Sequence, residues 1–543
     1  MKNWLTFALC CAFTAICFQT PRLWSQAAPQ AESTIHLQDD QPVTLRFYGS
    51  RDADLFTREV AQSFQGVMQE NFYPQARDGF PAGFISASVP GFPWAGTMWT
   101  RDAGTFLREL VMRGYYQHAS LLAECLMHMV EKNRDGFYSF PRYFRGSVRG
   151  TGTELDGTGA IVIGMVLLSE RLPAGDPVRK DIENFLLQPS SPIDYFRFVL
   201  KSRPLVPGTG EFGCGESIPG ECYNVVQNNL VALALSAAAQ MAARLGKPAL
   251  AKQDRGLARG IWNAMDKYLV AKDGSWLWCV SATTLKPDPA ILNAAVNLGT
   301  GSMNGVASMY ADVLGFLPLD SSWPGIRHSE KTFEDLYNTP LRKTEFDRYG
   351  IWTQTDLIGK GLMTSPSYGQ GYATQDMLLF DKLTMADKAL SWLAGATYKP
   401  VPEYKLPRSS PYYFYERTYS PDAVGKVKLA VGCGALNLVN VSEPLKVARL
   451  LLGVDDHSPR AVRLVPRIPP GWQGVEAANW PIWADGRIVR ARIDFERKGT
   501  GAELTLRLAP GQSIGDLKVR MPSSHGYVWK EQKHVRSWRL VTQ

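Results

Sequence analysis

The strongest constraint on the fold is a long succession of helical hydrophobic patterns with no strand-helix alternation between them. Leu55, Val60, Phe64, Val67, Met68 and Phe72 share one face of a helix; Phe106, Leu107, Leu110 and Val111 mark the next, which ends near Gly114; Leu121 to Val130 forms a third. Further helical stretches cover 158–172, 177–201, 223–245, 249–271, 302–314, 328–337, 369–380 and 383–397, with Gly246 and Gly274 placed as stop signals. A parallel α/β sheet would need strands between these helices, and the middle of the chain offers none.

The helices come in pairs separated by long irregular connectors. Met129 to Tyr138 resembles Tyr268 to Leu277: in each, a helix runs into a Lys-containing Asp-Gly turn followed by aromatic residues. Such a repeat argues for a helical array or toroid rather than a compact bundle. The connectors are rich in Gly, Pro, Trp and Tyr, and 134–153 and 202–222 are too long to be plain links. Binding residues are expected there.

Both ends of the chain change character. Lys2 followed by the apolar run Trp4 to Phe18 and the small-x-small site Ser25-Gln26-Ala27 reads as a secretory signal over residues 1–27. Residues 28–50 read as an extension with short strands at Ile35-His36-Leu37 and Val43 to Phe47. Residues 51–456 are the helical domain, closing with a helix around Pro444 to Leu451. Beyond Asp456, the alternating runs 461–465, 487–495, 502–508 and 517–521 predict an antiparallel β-sandwich over 457–543. No apolar run after the signal approaches the ~20 residues of a membrane span, so stable membrane insertion is not expected. The expected location is the periplasm or the exterior.

Charge and cysteine usage exclude several classes. The net charge is +8, and loss of Lys2 and Arg22 with the signal leaves +6. Residues 457–543 hold 15 Lys and Arg against 7 Asp and Glu, so the tail carries +8 and the rest of the mature chain about −2. No basic-aromatic module of a nucleic-acid binder accompanies that charge; it reads as a solvated basic face or a weak attraction to acidic polysaccharide or cell envelope. Five cysteines remain after the signal, too few and too scattered for a disulfide scaffold, and Cys214 with Cys222 is the one pair suited to an oxidising compartment. No Cys/His grouping has zinc-ligand spacing, and no metal or cofactor is expected.

The residues with chemical potential lie in the connectors. Pro90 to Gly104 packs Trp94, Trp99, Arg101 and Asp102 into a Gly/Pro-rich approach to a helix. Aromatic faces match the apolar faces of sugar rings, and an Arg–Asp pair offers directional partners to vicinal hydroxyls; the plainer alternative is a buried loop whose Arg and Asp pair with each other. Glu154-Leu155-Asp156-Gly157 precedes another helix, where Asp156 either caps the first turn or lies on a pocket floor. Glycosidic hydrolysis needs one protonated and one ionised carboxyl. Glu211, Glu216 and Glu221, in a Gly-rich loop before a helix, compete for the acid role, with Glu216 first and Glu221 best suited to helix capping. Glu416, set among five aromatic residues, leads Glu403, Asp356 and Asp376 for the second role. The aromatic-rich segments at Trp352 and Tyr368 are placed against the same pocket.

Trp99-Thr100-Arg101-Asp102-Ala103-Gly104 resembles a segment of glucoamylase-like enzymes whose Arg and Asp hold the terminal sugar. Asp156-Gly157 resembles their second Asp-Gly segment, and the acidic loop before Val226 to Leu233 resembles their general-acid loop. The run from Leu450 to Trp472 is similar to the toroid–sandwich junction of bacterial α-L-rhamnosidases. These resemblances imply an (α/α)6 toroid, the six-hairpin glycosidase fold, an inverting mechanism and no metal. The Trp-Glu-Glu that usually precedes the acid loop is missing, and Gln370 stands where a base would be tempting. The expectation is an exported exo-acting glycoside hydrolase cleaving a terminal glucoside- or rhamnoside-type sugar from a carbohydrate, with Trp99, Arg101, Asp102 and Asp156 as the grip, Glu216 as acid and Glu416 as base. A phosphorylase on the same toroid and a non-catalytic glycan-binding toroid are the alternatives.

Overall fold

The computed structural model describes residues 42–543, apart from 93, 146–147, 150–153, 209–220, 278, 288–324, 351, 353–362, 365–367, 397–416, 420–427, 431–435 and 457–460. After the strand Thr44–Tyr48 come helices α1 (Arg51–Gly66), α2 (Thr100–Met112), α3 (Tyr116–Met129), α4 (Leu155–Arg171), α5 (Pro177–Leu187), α6 (Pro192–Val199), α7 (Val225–Arg244) and α8 (Pro248–Tyr268). They are followed by α9 (Ile326–Tyr337), α10 (Pro340–Tyr349), α11 (Tyr368–Leu379), α12 (Leu383–Ala396) and α13 (Leu438–Leu452). The sequence marks 177–201 as one helix; Pro189 and Pro192 break it in two, and Ser191 caps the second piece through Asp194 N–H.

Two kinds of helix alternate. α1, α3, α8 and α12 bury one stripe and wet the other, whereas α2, α4, α7 and α13 are buried almost all round. The second kind forms the inner wall. α2 packs on α4, α4 on α7, α11 on α13, and α13 returns to α2, while outer α12 packs on outer α1. This closure of the last hairpin on the first makes the domain a six-hairpin toroid. Gly157 lies against Thr100, Gly104 against Ala160 and Gly164 against Leu107, so α2 and α4 run in the same direction and their N-terminal ends lie at the same end of the ring.

Small residues set the inner spacing. A Cβ on Gly104 would lie 2.7 Å from Ile161 N and 2.9 Å from the Ala160 carbonyl carbon, and one on Gly159 would lie 3.1 Å from Leu230 Cβ. α7 has the length and hydropathy of a membrane span, contrary to the reading of the sequence, but 89% of its apolar window is buried inside the protein. Its apolar surface is spent on neighbouring helices.

The C-terminal sandwich has a five-stranded and a four-stranded sheet. Thr44–Tyr48 does not belong to a separate extension: it pairs antiparallel with Gly474–Ala484 and forms an edge of the five-stranded sheet. Gly474–Ala484 went unread in the sequence because it contains Pro481 and a register irregularity between Ala477 and Trp480. The sandwich is fastened to the toroid by the buried pair Arg171–Asp456 at 2.8 Å and by a Phe47, Phe56 and Trp472 cluster with centroids 5.4–5.8 Å apart. Among the described cysteines Cys125 and Cys279 are buried and not in a disulfide, while Cys222 is disulfide-bonded.

Candidate active site

The motif around Trp99 is a strand that turns directly into a helix. Thr97–Trp99 pairs antiparallel with Tyr143–Arg145, placing Trp99 opposite Tyr143. Thr100 N–H and Oγ1 both donate to Arg142 O at 3.1 Å, fixing the point where α2 begins. The approach is bent by Gly91, Trp94 and Gly96, all at positive φ; at 67°, Trp94 is in a conformation that a bulky residue seldom adopts. That bend puts its ring 5.0 Å from Trp99, edge to face. Tyr143 lies 5.1 Å from Trp99 on another side, and the Arg142 guanidinium lies 5.1 Å from the same ring.

Arg101 and Asp102 occupy the first turn of α2, and Asp156 the first turn of α4. Arg101 Nε is 3.5 Å from Asp102 Oδ1 and Arg101 Nη1 is 3.6 Å from Asp156 Oδ2. The Arg101 side chain is 17% exposed, Asp102 7% and Asp156 fully buried, so the guanidinium stands over two carboxylates that face away from solvent. Each carboxylate sits at a helix N-terminus, where the macrodipole and first-turn amides favour negative charge. Asp156 is not the N-cap: Glu154 holds that position, and its side chain makes no capping bond.

Two glycines bring these groups together. A Cβ on Gly157 would fall 2.6 Å from Thr100 Oγ1 and 2.9 Å from Arg101 N, so only glycine lets the start of α4 approach the start of α2 this closely. Gly104 does the same a turn further along α2, against Ala160 and Ile161. The Asp-Gly and Asp-Ala-Gly spacings are thus a single device: acid at the helix start, glycine at the contact.

A buried charged layer lies beneath this end of the ring. Arg449 of α13 pairs with Glu109 of α2 at 3.1 Å, and Lys446 with Glu443 at 2.7 Å; Gln375 of α11 donates to Glu443 at 2.8 Å. Burial alone would raise the Glu109 pKa, but Arg449, Arg108 and Arg113 outweigh it and hold the carboxyl below its ordinary range. Asp376 of α11 is buried inside the wall, and burial pushes its pKa well up.

The remaining expected residues divide in three ways. Glu216, Glu211, Glu416, Glu403 and Asp356 lie outside the described residues, as does the Tyr368 side chain at the start of α11. Glu221 neither caps a helix nor is enclosed: it pairs with Arg203 at 2.7 Å, while Asn224 caps α7 through Gln227 N–H. Trp352 requires a correction. It is 1% exposed, lies parallel to Phe333 within 9° at 4.7 Å, and meets Phe346 edge-on, so its ring is occupied by packing between helices. Gln370 accepts from Trp352 N–H and donates to Gly350 O, a structural staple. Arg142 and Tyr143 were not singled out in the sequence; the long connector 134–153 pointed to them only as a region, and cross-strand register brings them to Trp99. Among the described residues no group of three or more His, Cys, Asp or Glu is gathered as a metal would require.

Neither a protein-family model nor a curated relative matches the sequence. Solved structures do. The α-L-rhamnosidase of Streptomyces avermitilis in complex with L-rhamnose superposes with a TM-score of 0.53 at 15% identity, over 92% of this chain and 42% of that one. The α-L-rhamnosidase of Aspergillus terreus gives 0.55 at 11% identity, over 93% and 50%. That of Dictyoglumus thermophilum gives 0.53 at 11%, over 95% and 52%. The fold is the (α/α)6 toroid with a β-domain. This chain spans about half the length of the rhamnosidase chains it matches. In this toroid, the Trp99–Arg101–Asp102–Asp156 group stands where inner-helix N-termini converge, an arrangement able to bind a neutral polyhydroxylated ring through aromatic faces and charge-assisted hydrogen bonds.

Proposed function

We propose that the protein is an exported, exo-acting glycoside hydrolase that removes a terminal sugar by inversion. The observation that carries this reading is Arg101 held between Asp102 and Asp156 at two neighbouring inner-helix starts, beside the Trp94–Trp99–Tyr143 aromatic group. Charged groups on rigid helix ends give directional contacts to hydroxyls, and the aromatic rings match the apolar side of a pyranose. The likeness to an α-L-rhamnosidase solved with L-rhamnose supports a terminal rhamnoside as the first substrate to test.

In this reading, Trp99, Arg101, Asp102 and Asp156 position the sugar, Glu216 protonates the departing oxygen, and Glu416 activates water from the opposite side. Inversion calls for the two carboxyl groups to be ~6.5–9.5 Å apart, leaving room for that water. The disulfide at Cys222 supports an oxidising compartment. The test is a panel of aryl α-rhamnosides, α-glucosides and β-glucuronides, with the anomer of the first product read by NMR. Glu216→Gln and Glu416→Gln are each expected to lower turnover on the cleaved substrate by ~10²-fold or more. Near-normal turnover in both variants would overturn the catalytic assignment, and no release from any glycoside would overturn hydrolysis.

A further inference from the structure

The exposed large hydrophobic side chains among the described residues are Phe198, Tyr527, Trp529 and Val541, and of these Phe198 alone belongs to the toroid. It lies near the end of α6 and is 47% exposed, but it does not stand singly. The Phe137 ring is 5.1 Å away and within 34° of parallel, and Tyr195, one turn back on α6, is 5.8 Å from Phe137. Phe137 and Tyr195 are half-buried, so the three rings form one partly open aromatic face. Hydrogen bonds fix it from the Phe137 side: Phe137 N–H donates to Asn133 Oδ1 at 3.0 Å, its carbonyl accepts from Asn133 N–H at 2.8 Å, and Tyr138 N–H donates to Ser190 O just before α6. Grouped, rigid and exposed aromatic surface marks a binding site, where a single exposed ring would not.

The face lies at the end of the ring that carries Arg101 and Asp156. Phe137 is six residues before Tyr143, which stands opposite Trp99, so the chain keeps it within ~22 Å of that pair. Beyond the rings, the segment leaving α6 is tied to the first turn of α7, where Val206 N–H donates to Asn228 Oδ1 at 2.8 Å and Asn228 Nδ2 to Val206 O at 3.0 Å. The start of α7 in turn lies beside that of α4, because Gly159 rests against Leu230. The charged groups that act most strongly on the Tyr195 hydroxyl are Asp135, Arg134, Arg203 and Glu221. They cancel in pairs, Arg203 with Glu221 at 2.7 Å and Arg134 with Asp135 at 3.9 Å. An ionic occupant of either sign would meet no excess of opposite charge among them.

We propose that Phe137, Tyr195 and Phe198 bind the part of a neutral oligo- or polysaccharide that extends beyond the terminal sugar held by Arg101 and Asp156. The inference rests on the glycoside hydrolase reading and names its substrate class, a glycan chain rather than the glycoside of a small aglycone. The rings take the apolar faces of sugar units, and the exposed Arg203–Glu221 pair meets their hydroxyls. A protein partner fits less well: three rings, two of them half-buried, offer far less than the ~800 Å² that each side gives to a stable interface. A lipid surface fits less well too, because inserting Phe198 and Phe137 would carry the neighbouring ion pairs out of water.

The test compares substrates of different length on the full-length mature protein. kcat/KM is measured for the aryl glycoside that the protein cleaves and for neutral oligosaccharides of increasing length that end in the same sugar. In the wild type kcat/KM should rise with length. Phe198→Ala and Phe137→Ala should each lower the ratio of kcat/KM for the longest oligosaccharide to that for the aryl glycoside by roughly tenfold, through KM. That ratio should not change between low and high salt, because the occupant is neutral. Trp529→Ala removes a similarly exposed ring, 44% exposed, from the sandwich and should keep the wild-type ratio. If Phe137→Ala fails to fold by circular dichroism, Phe198→Ala decides alone. Cleavage of the aryl glycoside with no gain from length, a wild-type ratio in Phe198→Ala, an equal loss in Trp529→Ala, a ratio that falls with salt, or a dimer that Phe198→Ala dissociates would each overturn this proposal and leave the hydrolase reading standing. No cleavage of any glycoside would overturn both.

Discussion

Replacing Gly157 by alanine perturbs the site without changing any side chain proposed to meet substrate. In an open helix the change would stabilise by up to ~1 kcal/mol through propensity alone. Here the new Cβ would lie 2.6 Å from Thr100 Oγ1, 2.9 Å from Arg101 N and 3.3 Å from Thr100 C, against an ordinary separation of about 3.5–4.0 Å. Thr100 cannot step aside, because its N–H and its hydroxyl both bond Arg142 O at 3.1 Å. The starts of α2 and α4 must therefore separate by roughly 0.5–1 Å to restore ordinary contacts. Overpacking of this kind costs about 1–3 kcal/mol, so a net loss of up to about 2 kcal/mol remains after the propensity gain.

The same displacement lengthens the 3.6 Å approach of Arg101 to Asp156. A misplacement near 1 Å in a positioning group lowers kcat/KM by as much as ~10²-fold. The assay is a thermal melt together with kcat/KM on the glycoside that the wild type cleaves. Gly256→Ala, on α8 where a Cβ would meet nothing within 4 Å, is the matched control and should melt at or slightly above the wild type. A Gly157→Ala protein that melts no lower than wild type and keeps full kcat/KM would refute the close-approach argument.

Two further outcomes follow from buried charge. Burial pushes Glu59 up to about 11, so the folded protein keeps a proton that the unfolded chain gives up above pH ~4.5, and the contribution of this group to stability falls as pH rises between those limits. Glu59→Gln removes that dependence, and its denaturation midpoint should gain on wild type more at pH 8.5 than at pH 5.5; a gap that does not change with pH would contradict it. Asp456 forms a buried ion pair with Arg171 at 2.8 Å and accepts from the half-buried Trp483 N–H at 2.7 Å, so Asp456→Ala should lower the stability read by urea denaturation by about 3–5 kcal/mol, and a loss below 1 kcal/mol would show that the pair is not needed at the toroid–sandwich junction.

What could be read from the sequence follows from how local each determinant is. The helices were legible because 3.6-residue periodicity, Gly stops and Pro starts act over a few residues; α10, opened by Pro340, was missed because its sequence is polar nearly all round. Gly526–Val535 was missed because exposure on both faces leaves no alternation to detect, whereas Ser537–Val541 does alternate, with Trp538 and Leu540 half-buried against the core, but is only five residues long. The pairing of Thr44–Tyr48 with Gly474–Ala484 could not be read at all, since over 400 residues separate them and nothing in either segment names its partner. Trp352 misled for the opposite reason: an aromatic residue beside Gly350 looks like a pocket wall, and only the parallel Phe333 ring shows that it is packed inside one.

The same distinction explains why the Arg101–Asp102–Asp156 group is better fixed by the sequence than the proposed acid and base. Arg101, Asp102 and Asp156 are fixed by rules written beside them: a strand that ends at Trp99, a helix that starts at Thr100, and glycines at 104 and 157 that set the distance between two inner helices. Ring closure then holds that geometry, because α2 is packed by α4 on one side and by α13 on the other, through Glu109 and Arg449. The edge strand Thr44–Tyr48 and the sandwich tie the two ends of the chain to the same body, so the first and last hairpins cannot separate without breaking a sheet. A site built on such ends is positioned by the whole ring, whereas the acid and base proposed at Glu216 and Glu416 belong to connectors, where substrate preference can change without altering the wall that holds Arg101.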